Sequence, residues 1–320
     1  MKKLLVAAGI ISGLAFAAPT MAQTKPVIAV IVKDTTSAYW RAVLAGARKA
    51  GKDLGADVTE LGARSETDAV DQIRILKQAV ASSPAAIVIA PTQFDALGGP
   101  IDEAAKKVRI IGIDSPANTK AWTSFVGTDR AQAGRLAADA LAAALARTYA
   151  DTEGDVAIIT AVPDDAAEHE SVGGFRKQVA DRYRALNVLG DKVASSQAAA
   201  GLRIMNDLAA ADQDLRGVFV SNMALADGAS QVIYNKSSGD MINYVVFGSD
   251  DLLVKSMQNG AVAALIVQDP FRIGYDAVKT AIAAAKGDKV PAKLDIAATI
   301  ITKASLSSPR AQELLHPKLD

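Results

Sequence analysis

The chain has 320 residues, with 35 basic and 35 acidic side chains, 50% hydrophobic residues, 5% aromatic residues and no cysteine. This hydrophobic content is enough to build packed cores and excludes a wholly disordered chain. The absence of cysteine excludes disulfides, thiolate metal sites and lipid attachment at cysteine, and the balanced charge argues against a general nucleic-acid binder, which needs a basic excess.

The first 22 residues have the pattern of a cleavable secretory signal. Lys2 and Lys3 precede an uncharged apolar run at 4–18, and the small residues around Ala22 suit cleavage after that position. The run is shorter than the roughly 20 residues that a helix needs to cross a bilayer. We therefore expect an exported, periplasmic chain after removal of residues 1–22.

After the signal, short β-branched runs alternate with longer alanine-rich segments of helical spacing. Strands are predicted at 27–32, 56–61, 85–90, 109–113, 124–127, 155–160, 186–189, 217–220, 244–247, 263–267 and 298–302. Helices are predicted at 37–54, 67–82, 130–145, 173–183, 201–211, 223–234, 252–259 and 271–286. Strands this apolar are typical of parallel sheets buried on both faces, and so many strands divide better between two α/β domains than within one sheet. No single Gly/Ser- or Pro-rich linker separates the halves, so the chain is expected to cross between the domains more than once.

Catalytic signatures are missing: the sequence contains no G-x-S-x-G, no phosphate-binding loop, no G-x-G-x-x-G and no H-E-x-x-H. The cluster from Glu168 to Glu170 is interpreted as a solvated loop rather than a reactive centre. An exported glycosidase that pairs Asp114 with Asp164 or Asp250 is a further alternative, since two carboxylates suffice for that chemistry. Acids that directly follow strands more often cap helices or bind a ligand.

Polar residues follow the predicted strands, where the carboxyl ends of parallel strands form a ligand-binding edge. They lie at 33–40, 114–116, 164–171, 221–222, 248–251 and 268–270. Their carboxylates, amides and hydroxyls suit a neutral polyhydroxylated molecule, and the adjacent Tyr39 and Trp40 could supply flat faces for a sugar ring. Trp40 could instead belong to the core. Lys33 ends a buried strand and needs a partner, for which Asp114 is the candidate, either in the ligand site or as a structural ion pair.

The order and spacing of several segments resemble a known family. These segments are 27–40, 85–92, 110–115, 125–134, 173–175, 218–229 and 263–274. They are similar to the sugar-binding proteins of bacterial ABC importers, the ribose-binding-protein-like group with the periplasmic binding protein type 1 fold, over essentially the whole mature chain.

That resemblance implies two Rossmann-like, doubly wound parallel-sheet domains joined by a three-crossing hinge, with the ligand in the cleft between them. The implied division is 25–128 with 269–297, 129–268 with 298–310, and a tail at 311–320. The residues implied to bind ligand are Lys33, Ser37, Tyr39, Trp40, Asp114, Ser115, Ser171, Ser196, Asn222, Asp250 and Gln268. The resemblance further implies a monomer without enzymatic activity, cofactor, metal or nucleic-acid partner, which meets the membrane only through an ABC permease.

Three positions depart from ribose binders. Ser115 and Ser171 stand where arginines are expected, and Gly248 stands where an aspartate is expected, with Asp250 two residues on. Lys33 with Asp114 and Ser115 instead resembles the autoinducer-2 binders, although their acid–amide pair is not evident in the second domain. We predict a pentose, a furanose or a small polyol as ligand. The alternative is an autoinducer-2-like or sugar-sensing receptor component that presents its ligand to a membrane sensor.

Overall fold

The computed structural model describes residues 25–161, 166–212, 214–235, 242–317 and 319, so the predicted signal at 1–22 lies outside the described residues. Strands and helices alternate along the chain. The strands are β1 (Val27–Val32), β2 (Asp57–Gly62), β3 (Ala86–Ile89), β4 (Arg109–Ile113), β5 (Ser124–Thr128), β6 (Gly154–Ala161), β7 (Leu186–Val188), β8 (Lys192–Ala194), β9 (Leu215–Val220), β10 (Asn243–Phe247), β11 (Ala264–Val267), β12 (Lys293–Ile296) and β13 (Thr299–Ile301). The helices are α1 (Ala38–Leu54), α2 (Ala69–Ala81), α3 (Phe94–Ala105), α4 (Arg130–Tyr149), α5 (Ala166–Arg182), α6 (Ala198–Ala211), α7 (Met223–Asn235), α8 (Asp251–Gln258), α9 (Pro270–Ala285) and α10 (Pro309–Leu315).

These strands form two sheets, each the centre of one lobe. The first lobe contains a six-stranded sheet in the order β12-β5-β4-β3-β1-β2, in which all neighbours are parallel. The second lobe contains β13-β11-β10-β9-β6-β7 with β8 also beside β6, and it is parallel except where β13 pairs with β11. The predicted pair of doubly wound α/β lobes is confirmed.

Helices cover both faces of each sheet. In the first lobe, α1 and α9 share a core with one face, and α2 and α3 with the other. In the second lobe, α4 and α5 cover one face, while α6, α7, α8 and α10 cover the other. Every residue of β3 and β11 is therefore buried, which explains why these strands are continuous apolar runs without alternation.

Over the residues that the structure describes, the chain passes between the lobes three times: after β5, after β11, and between β12 and β13. The expected multiple crossings are thus present, and they explain why no single linker divides the sequence. The predicted domain bounds put β12 in the first lobe and β13 in the second, as the sheets have them. The bounds themselves stay a prediction.

Two helices have no counterpart in the sequence prediction. Helix α3 contains Gly98, Gly99 and Pro100, residues that favour loops, but Gly98 packs so closely that an added Cβ would lie 2.3 Å from the carbonyl oxygen of Asn118. Helix α10 occupies much of the segment predicted as a tail. Its Ala311 and Leu314 are buried in the core of the second lobe, so this segment differs from the prediction.

Candidate functional site

A cleft of about 690 Å³ opens between the lobes, at the carboxyl ends of their strands. Its polar lining comes from both lobes and from the crossings, and comprises Lys33, Ser37, Tyr39, Glu66, Asp114, Ser115, Arg130, Glu168, Ser221, Asn222, Ser249, Asp250, Asp251 and Gln268. Nine of the eleven residues predicted to bind ligand line this cleft, and the two that do not are Ser171 and Ser196. Contact of these residues with a ligand stays a prediction.

Asp114 lies at the centre of the first lobe's contribution. It follows β4 with φ of 61°, a left-handed conformation that is uncommon for residues other than glycine and that points to a functional position. One carboxylate oxygen accepts a hydrogen bond from the Tyr39 hydroxyl at 2.8 Å, and the other accepts one from Ser115 Oγ at 2.8 Å. Lys33 Nζ donates to Ser115 Oγ at 2.7 Å and lies 3.6 Å from Asp114 Oδ2. The predicted partnership of Lys33 with Asp114 is therefore present.

Asp114 stays ionised in this setting. Burial raises its pKa, but the Lys33 and Arg130 charges and the hydrogen bonds from Tyr39 and Ser115 together hold the pKa below its ordinary value. Burial and the neighbouring Asp114 charge raise the pKa of Tyr39 well above its ordinary value, so its hydroxyl keeps its proton. The Asp114 carboxylate is therefore a hydrogen-bond acceptor that its donors hold in one orientation. An acceptor held in this way suits the recognition of a ligand hydroxyl.

Trp40 is more buried than its predicted stacking role requires. Ser37 caps α1 by accepting from Trp40 N at 3.5 Å. The Trp40 side chain is 2% exposed and belongs to the first lobe's core, where its indole Nε1 donates to Glu66 Oε1 at 2.7 Å. Burial raises the pKa of Glu66 despite the hydrogen bond from Trp40. Trp40 therefore belongs to the core and also lines the cleft, the two alternatives that the sequence left open.

The second lobe contributes a buried acid, Glu168, which the sequence interpretation placed in a solvated loop. That interpretation is wrong, because Glu168 lies in α5 and is 8% exposed. Its Oε2 accepts from Thr160 Oγ1 at 2.9 Å, from the Ala161 amide at 2.8 Å and from Ser221 Oγ at 3.1 Å. Its Oε1 accepts from Asn222 Nδ2 at 2.9 Å. These four donors satisfy the buried carboxyl oxygens, and the contact with Oε1 fixes the orientation of the Asn222 amide.

Ser196 and Ser171 have other surroundings. Ser196 is exposed and donates to Asn222 Oδ1 at 2.9 Å, which places it beside a residue of the cleft. Ser171 is 1% exposed on α5, and its carbonyl oxygen faces Gly134 of the adjacent helix α4. The structure thus keeps Ser196 at the edge of the site and Ser171 in the interior of the second lobe.

Gly248 and Asp250 both face the cleft. Gly248 has φ of 111°, a conformation that favours glycine, and Asp250 caps α8 by accepting from Leu253 N at 2.8 Å. At the crossing after β11, Gln268 Oε1 accepts from Thr128 Oγ1 at 2.9 Å and lies 3.5 Å from the Tyr39 hydroxyl. Gln268 therefore links two of the three crossings to the site.

Arg130 is the main residue that the sequence prediction missed. It is the first residue of α4, and its Nη2 lies 3.4 Å from Asp114 Oδ1 while its guanidinium carbon lies 4.6 Å from the centre of the Phe247 ring. A sequence signal was present, because Arg130 lies two residues after β5, but the strand-end residues named above do not include those that follow this strand. Asp164, named above as a possible acid partner, lies outside the described residues.

Within the described part of the chain, no group of three or more histidine, cysteine or acidic side chains is arranged to hold a metal ion. No helix there is both long and apolar enough to span a bilayer.

Known proteins match this chain along most of its length. A model of the periplasmic binding protein domain matches residues 28–289. The ribose import binding protein of Escherichia coli (strain K12) is 27% identical over 306 residues, which cover 95% of this chain and 99% of the relative.

Solved structures with bound sugars are also similar. A carbohydrate transporter solute-binding protein from Agrobacterium radiobacter, in complex with D-arabinose, is 51% identical with a TM-score of 0.81, covering 92% of this chain and 100% of that one. An ABC transporter solute-binding protein from Agrobacterium vitis with bound D-fucose is 29% identical with a TM-score of 0.76, covering 91% and 100%.

Proposed function

The chain belongs to the periplasmic binding protein domain family, and we propose that it captures a small neutral carbohydrate between its lobes and delivers it to an ABC importer. Family membership makes it a solute-binding protein rather than an enzyme. The observation that supports the proposal most is the cleft itself. A fixed carboxylate, Asp114, faces it from one lobe, and an amide fixed by a buried acid, Asn222, faces it from the other.

A pentose of the D-arabinose type is our preferred ligand. The 51%-identical solute-binding protein was solved with D-arabinose, whereas Ser115 replaces the arginine that ribose binders carry after the strand-end aspartate. In this chain Ser115 Oγ carries a hydrogen bond from Lys33 onto Asp114 instead. The acceptor Asp114 is thus retained, while the arginine donor beside it is replaced by Ser115. This supports a ligand that is related to ribose but not identical with it.

Delivery to a permease implies location in the periplasm, in line with the family. We propose that residues 1–22 are the cleaved signal and that the mature protein is a monomer whose two lobes present a joint surface to the permease. Mass spectrometry of protein recovered from the periplasmic fraction tests the cleavage site, and light scattering tests the monomer. A chain that retains residues 1–22, or one that dimerises, would contradict these two points.

Calorimetric titration of the purified protein with D-arabinose, D-ribose and D-fucose tests the function. We expect D-arabinose to bind and to raise the melting temperature, because ligand that binds only the folded state stabilises it. Asp114→Asn should weaken binding at least ~10-fold, since a charged hydrogen-bond acceptor is lost while Lys33 stays half-buried without its counter-ion. Asp181→Asn, at an exposed site on α5, is the control. No stabilisation by any of the three sugars would contradict the proposal.

A further inference from the structure

Arg130 has donor groups that the protein itself leaves unused. Within the described residues, its guanidinium makes one hydrogen bond, the long 3.4 Å contact with Asp114 Oδ1. Its Nε is buried without a hydrogen-bond partner among those residues. The side chain is 13% exposed and lines the cleft. Nε is too buried for a ligand to reach, but the partly exposed end of the guanidinium carries further N–H groups, and a cation with so few acceptors in the protein favours an acceptor in the cleft.

The position of this guanidinium is fixed from both lobes. The guanidinium carbon lies over the ring of Phe247, at the end of β10 in the second lobe, 4.6 Å from the ring centre, and Nη2 lies 3.4 Å from Asp114 Oδ1 of the first lobe. A cation over an aromatic face is attracted by the ring, and the planar guanidinium presents its N–H donors as a rigid fork. Arg130 therefore holds donors at the edge of Asp114 that cannot turn away freely.

Arg130 and Asp114 have complementary hydrogen-bonding chemistry. A guanidinium only donates and an ionised carboxylate only accepts. A ligand that satisfies both must offer an acceptor next to a donor. In a cyclic sugar, the ring oxygen has no proton and only accepts, while the adjacent anomeric hydroxyl is a good donor. An alditol has hydroxyls at both places, each free to rotate, and pays additional conformational entropy when it is ordered.

On the basis of the proposed function, we propose that Arg130 is a specificity-determining residue that donates to the ring oxygen of a cyclic sugar while Asp114 accepts from the neighbouring hydroxyl. The cleft thereby selects the cyclic form of a pentose over the open-chain polyol of the same carbon skeleton. Polyols, which the sequence left open as ligands, are then poor ligands of this protein.

Paired titrations test this inference. D-arabinose and D-ribose are compared with D-arabinitol and ribitol, using the parent protein, Arg130→Gln, Arg130→Lys and Arg135→Gln. We expect the parent to prefer each sugar over its alditol by about 10- to 100-fold, the range that one or two hydrogen bonds to a charged group provide. Arg130→Gln should lose most of this preference by weakening sugar binding alone. Arg135→Gln, on the same helix but 38% exposed, should keep it.

The outcomes separate the inference from the function on which it rests. Absence of binding by every sugar and alditol would remove the proposed function. Equal affinities of the parent for sugars and alditols, or an equal loss of both in Arg130→Gln, would overturn the role of Arg130 and leave sugar binding intact. If Arg130→Gln does not fold, Arg130→Lys decides. It retains the charge but not the planar fork, and we expect it to lower the preference for sugars; an unchanged preference would overturn the inference.

Discussion

Two acids near the cleft have their pKa values moved in opposite directions by their neighbours. Cations and hydroxyl donors lower the pKa of Asp114, as described above. Burial and the charge of Asp250 raise the pKa of Asp227, on α7, to about 7. Asp227 Oδ1 is also buried without a hydrogen-bond partner among the described residues. Asp227 is therefore protonated in mildly acidic solution and carries an unfavourable charge above neutral pH.

Replacing Asp227 with asparagine should stabilise the protein in alkaline solution. The pKa of Asp227 is higher in the folded chain than the ~3.9 of an unfolded one, so its stabilising contribution is present below about pH 4 and is lost as the pH rises through about 7. We expect Asp227→Asn to be more stable than the parent by about 1–2 kcal/mol at pH 8, a value reduced for partial exposure, and similar to it at pH 4.5.

Denaturant unfolding at the two pH values measures this difference. Asp207→Asn, at an exposed position of the neighbouring helix α6, is the matched control and should change stability by a similar amount at both. A difference between Asp227→Asn and the parent that does not grow from pH 4.5 to pH 8 would contradict the assignment.

At the scale of single residues, the sequence predicted a contact correctly where the reason for it lies in the residue's own segment. Lys33 ends a buried strand, so a nearby acid was required, and Asp114 is that acid. Glu168 was misjudged because a run of charged residues is typical of solvated surface, whereas the donors described above come from β6 and from the two residues that follow β9. Arg130 depends on Phe247, which is distant in sequence and meets it only when the second sheet is formed. A contact between residues so far apart in the chain leaves no pattern in the local sequence.

At the scale of elements, helices pack in pairs through glycines. Helix α4 approaches α5 so closely that a Cβ at Gly134 would lie 1.9 Å from the carbonyl oxygen of Ser171. In the first lobe, a Cβ at Gly274 of α9 would lie equally close, at 1.9 Å, to the carbonyl oxygen of Val43 in α1. In both lobes, a glycine thus allows the two helices of a pair to pack in close contact. This packing explains why glycines occur in the middle of these helices.

Gly134→Ala should destabilise the second lobe by several kcal/mol, roughly 2–4, because the carbonyl it meets belongs to a helix backbone that cannot move aside. Gly173→Ala on α5 is the matched control, since nothing lies within 4 Å of its Cβ position. Alanine there should be neutral or stabilising by up to ~1 kcal/mol, because it has the higher helix propensity. Thermal unfolding measures both variants. Equal melting temperatures of the two would show that α4 and α5 are not packed this closely.

The same glycines limited the prediction of elements. All eleven predicted strands have a counterpart. Most of them are apolar runs buried in their sheets, whereas β2 and β7, at the sheet edges, are only partly buried. Helix α5 was predicted to begin at Gly173 and begins at Ala166, since glycines indicate helix ends, but Gly174 is needed inside the helix because a Cβ there would lie 2.1 Å from the carbonyl oxygen of Ala131 in α4. β12 was missed because it is a strand at the sheet edge in which Lys293 and Asp295 are exposed. In each case a contact with another element, rather than the local propensity, determines the secondary structure of the segment.

At the scale of the molecule, function requires the two lobes to bind the same ligand. A ligand shifts the equilibrium towards the closed state only by the difference between its affinities for the closed and the open state. Contacts with the first lobe alone, through Asp114 and Lys33, stabilise open and closed forms equally. Contacts with the second lobe, for which Asn222 is the best-oriented candidate, are made only after closure. Removing them should weaken binding and closure together.

Asn222→Ser tests this separation of roles. The serine hydroxyl can still accept from the Leu225 amide, as Asn222 Oδ1 now does at 3.2 Å, so α7 keeps its cap while the amide is removed. We expect D-arabinose to bind ~10-fold more weakly, and small-angle X-ray scattering to show less contraction at saturation than in the parent. Asn187→Ser, at an exposed position of β7, should contract as the parent does. Full contraction of Asn222→Ser at saturating D-arabinose would mean that Asn222 makes no contact that favours the closed state, and closure would then depend on Arg130 and Phe247.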